Sequence, residues 1–442
     1  MIEVAKGASY RIIIVGGGIS GLLSAIGIQR LGCHRVVVLE NSPSPQTLGG
    51  SLVIPPSAAR VLDQFGVWER ILATDNARNK HTVFRYADGN VLEETNYLAM
   101  KSRFGYPIMS ITREEYQRIL YLEARKAGVE IRFGCLVVRV DVTVPSVTLS
   151  SSEEIKGDLV IGADGIKSVV RAAILSGKKV EPIPEAIAYQ FKVPSQVMKS
   201  NPITAPLMDN NPIHSWYGPG RQIIGGATSR EEFYAVTLTI YPEGKDRTAD
   251  SLDALTPNTS SSYRLGDVGS MRKSINMFEP RVRKLAQLVD PEECFLWKLA
   301  YLPKLDTWIS PGGRVAVLGD AAHAMVPHLG MGAATAVEDG GVLASCLARA
   351  KSLEDIPLAL AAYQKIRKGR AEQIQEAALN TGLYKALDDG TEQRERDLKM
   401  AERMDPSHPK YSAWKAGAGL DWLYAYDFME AVSSLYRSRC DH

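Results

Sequence analysis

The chain has 442 residues, of which 45% are hydrophobic and 23% are charged, values typical of a globular protein with two or three packed lobes. Its 52 basic and 50 acidic side chains leave a formal net charge of +2. This balance gives no global field that would attract nucleic acid or an anionic membrane surface. We therefore expect a small-molecule partner and no nucleic acid.

The cysteines and the apolar stretches exclude further classes of protein. The five cysteines lie far apart and show no C-x-x-C or Cys/His spacing, which argues against a metal site and against a disulfide framework. The first residues, MIEVAKGASY, contain no apolar leader, and the apolar stretches are interrupted before the ~20 residues that a membrane span requires. We expect a cytoplasmic monomer or homodimer.

The first predicted unit is a strand, a helix and a second strand. An isoleucine-rich run covers residues 10–15, apolar residues at helical spacing cover 19–31, and a β-branched run covers 35–40. The cluster GGGISG joins the first strand to the helix. This order is typical of a parallel sheet that binds a nucleotide.

The glycine cluster matches G-x-G-x-x-G at Gly16, Gly18 and Gly21. In this motif the first glycine makes a tight turn, the second lets the backbone approach a pyrophosphate, and the third lets helix and strand pack closely. Glu40 ends the second strand, where an acid accepts hydrogen bonds from an adenosine ribose. Glycine-rich turns also arise for structural reasons, but the strand, helix and acid together predict a dinucleotide site. An acid here disfavours the 2′-phosphate of NADP at this site.

The next segments predict helices and strands in alternation. Residues 55–65 and 113–127 predict helices, 82–96 predict two strands joined at Asp88-Gly89, and several strands follow within 130–161. The middle of the chain, about residues 181–294, has frequent turn signals and aromatic strands. We interpret it as a mostly antiparallel second sheet with a polar surface loop near DALTPNTSSSYRLGD.

Two acid-glycine turns follow later strands. Asp164-Gly165 comes after DLVIGA and before a helix start that contains Ser168 and Arg171. By itself it is an Asp-Gly turn with helix capping. In GGRVAVLGDAAHAM a buried strand ends in Gly-Asp at Asp320, which by itself could be a turn or cap residue. We expect His323 in this segment to support the loop.

The segment HLGMG precedes a long predicted helix. The positive end of that helix would stabilise the negative charge that a reduced flavin carries near N1 and O2. Residues 357–387 predict a long helix, and the remaining tail predicts shorter ones. The two glycine clusters would then hold opposite ends of FAD.

The order GxGxxG, DG, GD resembles the group A flavoprotein monooxygenases, the family of para-hydroxybenzoate hydroxylase, and especially its salicylate-hydroxylase-like branch. Further matches are GGSLVIPPSAARVLDQFGV, SITREEYQRIL with Arg113, and AAYQKIRKGRAEQIQ with Tyr363, Arg367 and Arg370. The resemblance covers most of the chain. It implies an α/β fold with a Rossmann-like FAD domain of the GR2 type, an inserted antiparallel substrate sheet and C-terminal helices. The expected boundaries are 1–180 and 301–387 for the FAD domain, 181–300 for the sheet, and 388–442 for the helical segment.

The resemblance also implies roles for individual residues. Arg113 contacts the flavin, Asp320 contacts its ribityl chain, and Asp164-Gly165 is linked to both FAD and NAD(P)H. The flavin ring is lined by Pro327 and by the loop that contains Gly330, Met331 and Gly332. No second G-x-G-x-x-G motif occurs in the sequence, which suits enzymes that bind NADH or NADPH only transiently.

The function that the resemblance implies is hydroxylation of an aromatic or other electron-rich ring with NAD(P)H and O2, through a flavin C4a-hydroperoxide. Epoxidation, dearomatising hydroxylation or rearrangement of a larger natural product stays open, as does a reductase without oxygen insertion. A nucleotide-binding protein without turnover is a further alternative, but a bare binding module needs neither Asp320 nor the middle sheet.

The catalytic candidates are His214 and Tyr217, which precede Gly218-Pro219-Gly220. Either could take a proton from a phenol and so raise the electron density of the ring, although such residues more often only pack and hydrogen-bond. Two positions depart from the family pattern: Met331 stands where glutamine is frequent, and Gly225-Gly226-Ala227 replaces a Tyr-Pro pair. We therefore expect a reshaped substrate pocket.

Overall fold

The structure is a computed structural model that describes residues 9–32, 34–45, 50–228, 232–242, 263–410 and 419–440. Its first sheet has five parallel strands: β1 (Arg11–Val15), β2 (Arg35–Leu39), β7 (Glu130–Arg132), β11 (Leu159–Gly162) and β18 (Val315–Val317). Their order across the sheet is β18-β11-β1-β2-β7. The central strands are runs of Ile, Val and Leu because helices cover both faces of a parallel sheet.

The second sheet has eight strands. Its order is β16-β17-β12-β15-β14-β13-β4-β5, and its neighbouring strands are antiparallel except for the parallel pair β13 and β4. The strands are β4 (Lys80–Arg85), β5 (Val91–Asn96), β12 (Ile183–Pro194), β13 (Ile213–Gly218), β14 (Arg221–Ala227), β15 (Phe233–Ile240), β16 (Tyr263–Leu265) and β17 (Cys294–Tyr301). The prediction of a mostly antiparallel middle sheet is confirmed.

The eight-stranded sheet, called the mixed sheet from here on, also contains residues from outside the range 181–300 that we expected for it. β4 and β5 lie within residues 1–180, which we expected to form the FAD domain, yet they pair at the edge of the mixed sheet. The hairpin at Asp88-Gly89 is present, with Gly89 at φ +71°. Local alternation identifies a hairpin, but the partner strand is chosen by tertiary packing.

Register divides the mixed sheet into two faces. Residues directly opposite each other on paired strands lie on the same face. One face, here called the cavity face, carries His81, Ile213, Ser215, Tyr217, Gln222, Ile224, Gly226, Ala235 and Thr237. The other, the core face, carries Phe84, His214, Trp216, Ile223, Tyr234 and Val236. The core face packs on the helices Val268–Ser274 and Pro280–Gln287.

Two small sheets complete the strands. One pairs β3 (Ser51–Ile54) with β6 (Met109–Thr112), and the other contains β8 (Val137–Asp141), β9 (Ser146–Leu149) and β10 (Glu154–Lys156). Of the polar loop predicted at residues 253–267, residues 253–262 lie outside the described part of the chain.

The α-helices before the second acid-glycine turn are Ile19–Gly32, Pro56–Gln64, Trp68–Leu72, Tyr97–Phe104, Arg113–Lys126, Val169–Ile174, Ser195–Ser200, Val268–Ser274 and Pro280–Gln287. Those after it are Asp320–His323, Gly332–Leu347, Ile356–Lys385, Thr391–Met404, Asp421–Tyr424 and Phe428–Cys440. Short 3-10 turns occur at Ala205–Met208, Pro291–Glu293, Pro327–Leu329 and Leu353–Asp355. Among the described residues, none of these helices has the length and apolar character to span a membrane.

Candidate active site

Three loops meet at the carboxyl edge of the parallel sheet. They follow β18, β11 and β1, which are neighbours in the sheet, and they carry the three motifs found in the sequence. The edge beyond the carboxyl ends of parallel strands is where α/β sheets bind ligands. Motifs separated by about 300 residues therefore surround one site.

The glycine loop after β1 has the shape that a pyrophosphate requires. A Cβ at Gly16, whose φ is +104°, would lie 2.3 Å from the Ala163 carbonyl oxygen, and a Cβ at Gly21 would lie 2.0 Å from that of Gly16. A Cβ at Gly18 would meet nothing within 4 Å. Gly16 and Gly21 are therefore required by packing, whereas Gly18 leaves open space for a ligand. This pattern fits the three roles predicted for the motif.

Glu40 lies beside this loop. One carboxylate oxygen accepts a hydrogen bond from the Gly17 N–H at 2.7 Å, and the other accepts one from the Ser42 N–H at 2.8 Å. The side chain is half-buried, so its outer edge remains accessible. The carboxylate thus holds the glycine loop and stands where a ribose role was predicted for it.

Asp164 caps the helix Val169–Ile174. Its carboxylate accepts hydrogen bonds from the Ser168 hydroxyl at 2.5 Å and from the Val169 N–H at 2.8 Å. Burial raises the pKa of this carboxyl, although those hydrogen bonds oppose the shift. Gly165 has φ +76° and open space around its Cα. The contacts of Asp164 are those of a turn with capping, and its contact with FAD or NAD(P)H stays a prediction.

Arg171 ties this loop to the next one. Its buried guanidinium donates to the carbonyl oxygens of Ala321 at 3.1 Å and Ile166 at 2.7 Å. The loops after β11 and β18 are therefore held at a fixed separation, which makes Arg171 a positioning residue.

Asp320 is exposed at the end of β18. The helix Asp320–His323 begins at this residue, and no side chain caps it. The Asp320 carboxylate makes no hydrogen bond or ion pair with another described residue. A turn or cap role does not account for this acid. Its position instead leaves the carboxylate available to a ligand at the sheet edge.

The loop that carries Asp320 rests on buried charges. Asp339 accepts hydrogen bonds from the Gly319 N–H at 3.0 Å and the Arg367 Nε at 2.8 Å, and its carboxylate lies 2.5 Å from Nε2 of His323. Arg367 also pairs with Glu338 at 2.8 Å. Burial opposes ionisation, but the charges of His323 and Arg367 lower the pKa of Asp339 to about 2. His323 has the supporting geometry that we predicted.

The Y-x-x-x-R-x-x-R pattern has the same supporting function. The Tyr363 hydroxyl donates to the Val317 carbonyl oxygen at 3.1 Å, and Arg370 pairs with Glu338 at 2.8 Å. Together with Arg367, these side chains fix the end of β18 from the helix Ile356–Lys385. The pattern therefore supports the site from behind.

The second glycine loop lies beside the first. Pro327 is exposed, Gly330 has φ +65°, and the half-buried Gly332 begins the helix Gly332–Leu347. Met331 is only 2% exposed and packs in the core of the FAD domain. Its side chain is thus buried in this core, and its place in the pocket floor stays a prediction.

Arg113 begins the helix Arg113–Lys126 and is exposed. Its backbone N–H donates to the Gly50 carbonyl oxygen at 3.1 Å, which joins the helix to the segment before β3. Four residues further along, Gln117 donates to the Gly17 carbonyl oxygen at 2.8 Å. The helix therefore connects the glycine loop to the segment that lines the cavity.

A cavity of about 180 Å³ separates β3 from the cavity face of the mixed sheet. Its lining is mainly apolar and includes Leu52, Val53, Ile213, Ile224, Gly226 and Thr237. Gly226, one of the positions that depart from the family pattern, is among the lining residues, and a Cβ there would lie 3.1 Å from the Pro212 carbonyl oxygen. A concave, mainly apolar space with a few polar groups is the usual form of a small-molecule site.

His214 and Tyr217 lie on opposite faces of β13, because side chains three positions apart in a strand point to opposite sides. His214 lies on the core face, where its Nδ1 is 2.9 Å from the Tyr234 hydroxyl and burial lowers its pKa to about 3. Tyr217 is on the cavity face but packs against Met400. The two predicted residues are not brought together, and neither lines the cavity.

Polar residues that the sequence did not single out lie beside the cavity, whose own lining includes Arg78, Gln190, Lys192 and Glu293. The His81 ring lies 2.8 Å from the Ser215 hydroxyl, and His81 is opposite Ile213, a lining residue. Lys385 donates to the carbonyl oxygen of His328 at 2.6 Å. Our predicted strand began at residue 82, one position after His81. No spacing in the sequence connects positions 81, 215 and 385.

Comparison with known proteins agrees with this geometry. The model of the family described as "FAD binding domain" matches residues 9–261 and 309–378. These residues are more than half of the chain, and the chain belongs to this family. FAD is therefore its cofactor, and the glycine loops after β1 and β18 fit it.

The relatives define the class of enzyme. The "FAD-dependent monooxygenase OpS4" of Beauveria bassiana (strain ARSEF 2860) is 29% identical over 430 residues, which cover 96% of each chain. "Hispidin-3-hydroxylase" of Neonothopanus nambi is 27% identical over 385 residues, covering 83% of this chain and 87% of its own. The chain is a flavoprotein monooxygenase, as predicted.

A solved structure shows the same fold. The salicylate hydroxylase substrate complex superposes with a TM-score of 0.76 at 20% identity and covers 96% of this chain and 97% of its own. The predicted combination of a Rossmann-like FAD domain with an inserted sheet and C-terminal helices is confirmed.

Proposed function

We propose that the protein hydroxylates an aromatic or other electron-rich ring with NAD(P)H and O2. The observation that carries this proposal is the cavity of about 180 Å³ between β3 and the cavity face, with a mainly apolar lining. A flat apolar ring matches such a space. Hispidin-3-hydroxylase, a relative, is named as a hydroxylase, which supports the reaction class.

When bound, FAD supplies hydride acceptance and the activation of O2, and the protein supplies binding, orientation and exclusion of water. Gly18 would leave space for its pyrophosphate, Glu40 would accept hydrogen bonds from its ribose, and Asp320 would offer a carboxylate to its ribityl chain. The mixed sheet closes over this edge and keeps the reacting ring dry, which protects an oxygenating species from water.

The electron donor binds transiently in this proposal. The sequence has one G-x-G-x-x-G motif, and the loop after β1 already uses it for FAD. With no second cradle, NAD(P)H must meet the flavin in a short-lived arrangement that substrate promotes. Such gating prevents hydride from being wasted when no ring is present.

Stopped-flow reduction under anaerobic conditions tests this proposal, with candidate rings first screened for stimulated NAD(P)H oxidation. We expect slow flavin reduction without substrate and at least about 10-fold faster reduction with it. Equal rates would contradict gating and favour a reductase.

Mass spectrometry of the product formed under ¹⁸O₂ tests oxygen transfer separately. We expect one labelled oxygen atom in the product, and its position distinguishes ring hydroxylation from epoxidation or rearrangement. Stimulated NAD(P)H oxidation with peroxide as the sole oxygen product would contradict the monooxygenase reaction for that compound.

A further inference from the structure

Three side chains form a row across the cavity face, from β12 through β15 to β14. Gln190 lies directly opposite Thr237, and Thr237 lies directly opposite Ile224. All three residues line the cavity. Because residues opposite each other on paired strands share a face, the row presents an amide, a hydroxyl and an apolar side chain to the same space.

The Gln190 amide lies flat against Gly50, which lines the cavity from the side of β3. A Cβ built at Gly50 would lie 3.6 Å from Nε2 of Gln190 and 3.7 Å from both Cδ and Oε1. Nearly equal distances to three atoms of one plane place this point above the plane, so the amide turns its face to Gly50. The edge of the amide, where the Nε2–H donor and the Oε1 acceptor lie side by side, therefore remains for a ligand.

The protein does not use either polar group of this row. The Gln190 amide and the Thr237 hydroxyl make no hydrogen bond with another described residue. Both side chains are half-buried, so a ligand that fills the cavity removes water from them. A polar group that is cut off from water is costly unless the ligand replaces its hydrogen bonds. The row therefore selects ligands with complementary donors and acceptors.

The charged groups of the cavity already have protein partners. Lys192 pairs with Glu293 at 3.2 Å, and both residues line the cavity. Arg78 donates hydrogen bonds to the side-chain oxygen of Asn211 and to the Ala227 carbonyl oxygen. The groups that remain for a ligand in the row are uncharged, which favours a neutral ligand.

We propose that Gln190 and Thr237 bind the amide edge of a neutral substrate, a ring compound in which N–H and C=O lie side by side, as in a lactam. This inference rests on the proposed function and narrows its substrate class. Oε1 of Gln190 accepts the ligand N–H, while Nε2 of Gln190 and the Thr237 hydroxyl donate to the two lone pairs of the ligand carbonyl oxygen. Glutamine reads the adenine edge in DNA by the same two-point pairing.

Ile224 gives this binding mode a direction. Its side chain is 41% exposed although it lines the cavity, so a ligand there covers an apolar surface. Burial of that surface favours binding of the apolar part of a ring. The order of the row thus places the amide edge of the substrate toward β12 and its ring toward β14. Gln190 and Thr237 are specificity residues in this arrangement.

Two probes of equal size test the inference on the FAD-loaded enzyme. 2-Quinolone is a neutral lactam, and coumarin has a ring oxygen in place of the lactam N–H. We expect isothermal titration to show about 10-fold tighter binding of 2-quinolone to the parent protein, because coumarin leaves Oε1 of Gln190 without a donor. 2-Naphthoate, of similar size but with a carboxylate, should bind more weakly than 2-quinolone.

The variants identify the responsible groups. Gln190→Leu removes the amide at similar size and should abolish the preference for 2-quinolone over coumarin. Thr237→Val removes only the hydroxyl and should weaken both probes alike, because both have a carbonyl that accepts from it. Gln373→Leu removes an exposed glutamine from the helix Ile356–Lys385 and should change neither affinity. FAD content and melting temperature, measured on every variant, exclude a folding effect.

The carbonyl stretching frequency of bound 2-quinolone gives a second measurement. Donors at the carbonyl oxygen weaken the C=O bond, so we expect a lower frequency in the parent protein than in Gln190→Leu. The same frequency in both proteins would contradict a hydrogen bond from Gln190.

The outcomes separate this inference from the proposed function. Equal affinity of the parent protein for 2-quinolone and coumarin, no measurable binding of 2-quinolone, or an unchanged preference in Gln190→Leu overturns the amide site even if ¹⁸O₂ labels a product. Tighter binding of 2-naphthoate than of 2-quinolone also overturns it and assigns the cavity to anions. A preference that is lost in Gln190→Leu, without oxygen transfer to any ring, supports the amide site and contradicts the ring-hydroxylation proposal.

Discussion

The carboxyl edge of the parallel sheet and the cavity face of the mixed sheet contribute to the site in different ways. At the sheet edge the ligand-facing groups are the backbone of the loops, including Gly18 and Gly165 with open space around them, and the carboxylates of Glu40 and Asp320. On the cavity face they are side chains contributed by separate strands, such as Ile213, Ile224 and Thr237.

This difference explains why one region follows a motif and the other does not. A loop that must admit a pyrophosphate needs glycine at fixed spacing, whatever the rest of the enzyme does. A face that contacts a substrate needs only an apolar surface with a few polar groups, and many residues satisfy that requirement. The sheet edge therefore defines the family, and the cavity face defines the substrate.

Asp339→Ala should have the largest effect, because it tests whether the sheet edge depends on its buried charges. The variant leaves His323 buried without its acid and Arg367 with Glu338 as its remaining partner, so the free energy of unfolding should fall by about 3 kcal/mol. FAD content should fall as well, since Gly319 loses a hydrogen bond. Urea denaturation measures the first effect, and flavin absorbance measures the second.

The dependence of the free energy of unfolding on acidic pH tests the same buried charges. Because the folded pKa of Asp339 is depressed, its contribution is present above the unfolded pKa near 4 and is lost as pH falls toward about 2. Asp339→Ala should therefore lose stability less steeply than the parent protein in this range. Glu376→Ala, which removes an exposed pair with Lys304, is the control and should change little. An Asp339→Ala protein as stable as its parent would show that the loop does not depend on this network.

Asp320→Ala should have an intermediate effect, confined to the ligand. One charge-assisted hydrogen bond is worth roughly 1.5–3 kcal/mol, so FAD affinity should fall at least about 10-fold. The melting temperature of the FAD-free protein should not change, because Asp320 is exposed and lacks a protein partner. Isothermal titration with FAD measures the affinity, and Asp306→Ala, another exposed acid, serves as control. Unchanged FAD affinity in Asp320→Ala would leave this acid without a role in the site.

His214→Phe should have the smallest effect, and it tests the division of the mixed sheet into two faces. The variant keeps an aromatic ring on the core face but leaves the Tyr234 hydroxyl without its partner, which should cost about 1 kcal/mol of stability. Substrate-stimulated NAD(P)H oxidation should keep its kcat and its pH profile. His81→Phe, on the cavity face, should lower kcat. Should His214→Phe lose activity at unchanged stability, His214 would have the catalytic role that we first assigned to it.

Much of the sheet edge could be predicted because its requirements are local. The run of β-branched residues before Gly16, the helix after it and the acid at Glu40 lie within about 30 residues, and each follows from backbone sterics or helix periodicity. The GD turn after β18 could be predicted for the same reason. Together these segments determined that the chain binds a dinucleotide.

The cavity face was decided by tertiary structure. Whether His214 or its neighbour faces the cavity depends on strand register, and a shift of one residue exchanges the two faces. Met331 became a core residue because the helix it precedes packs among other helices of the FAD domain, among them Ile19–Gly32 and Ile356–Lys385. His81 lies opposite Ile213, about 130 residues later in the chain, through the pairing of β4 with β13, which no local pattern encodes. The sequence therefore determined the cofactor, and only the assembled sheets decided which side chains meet the substrate.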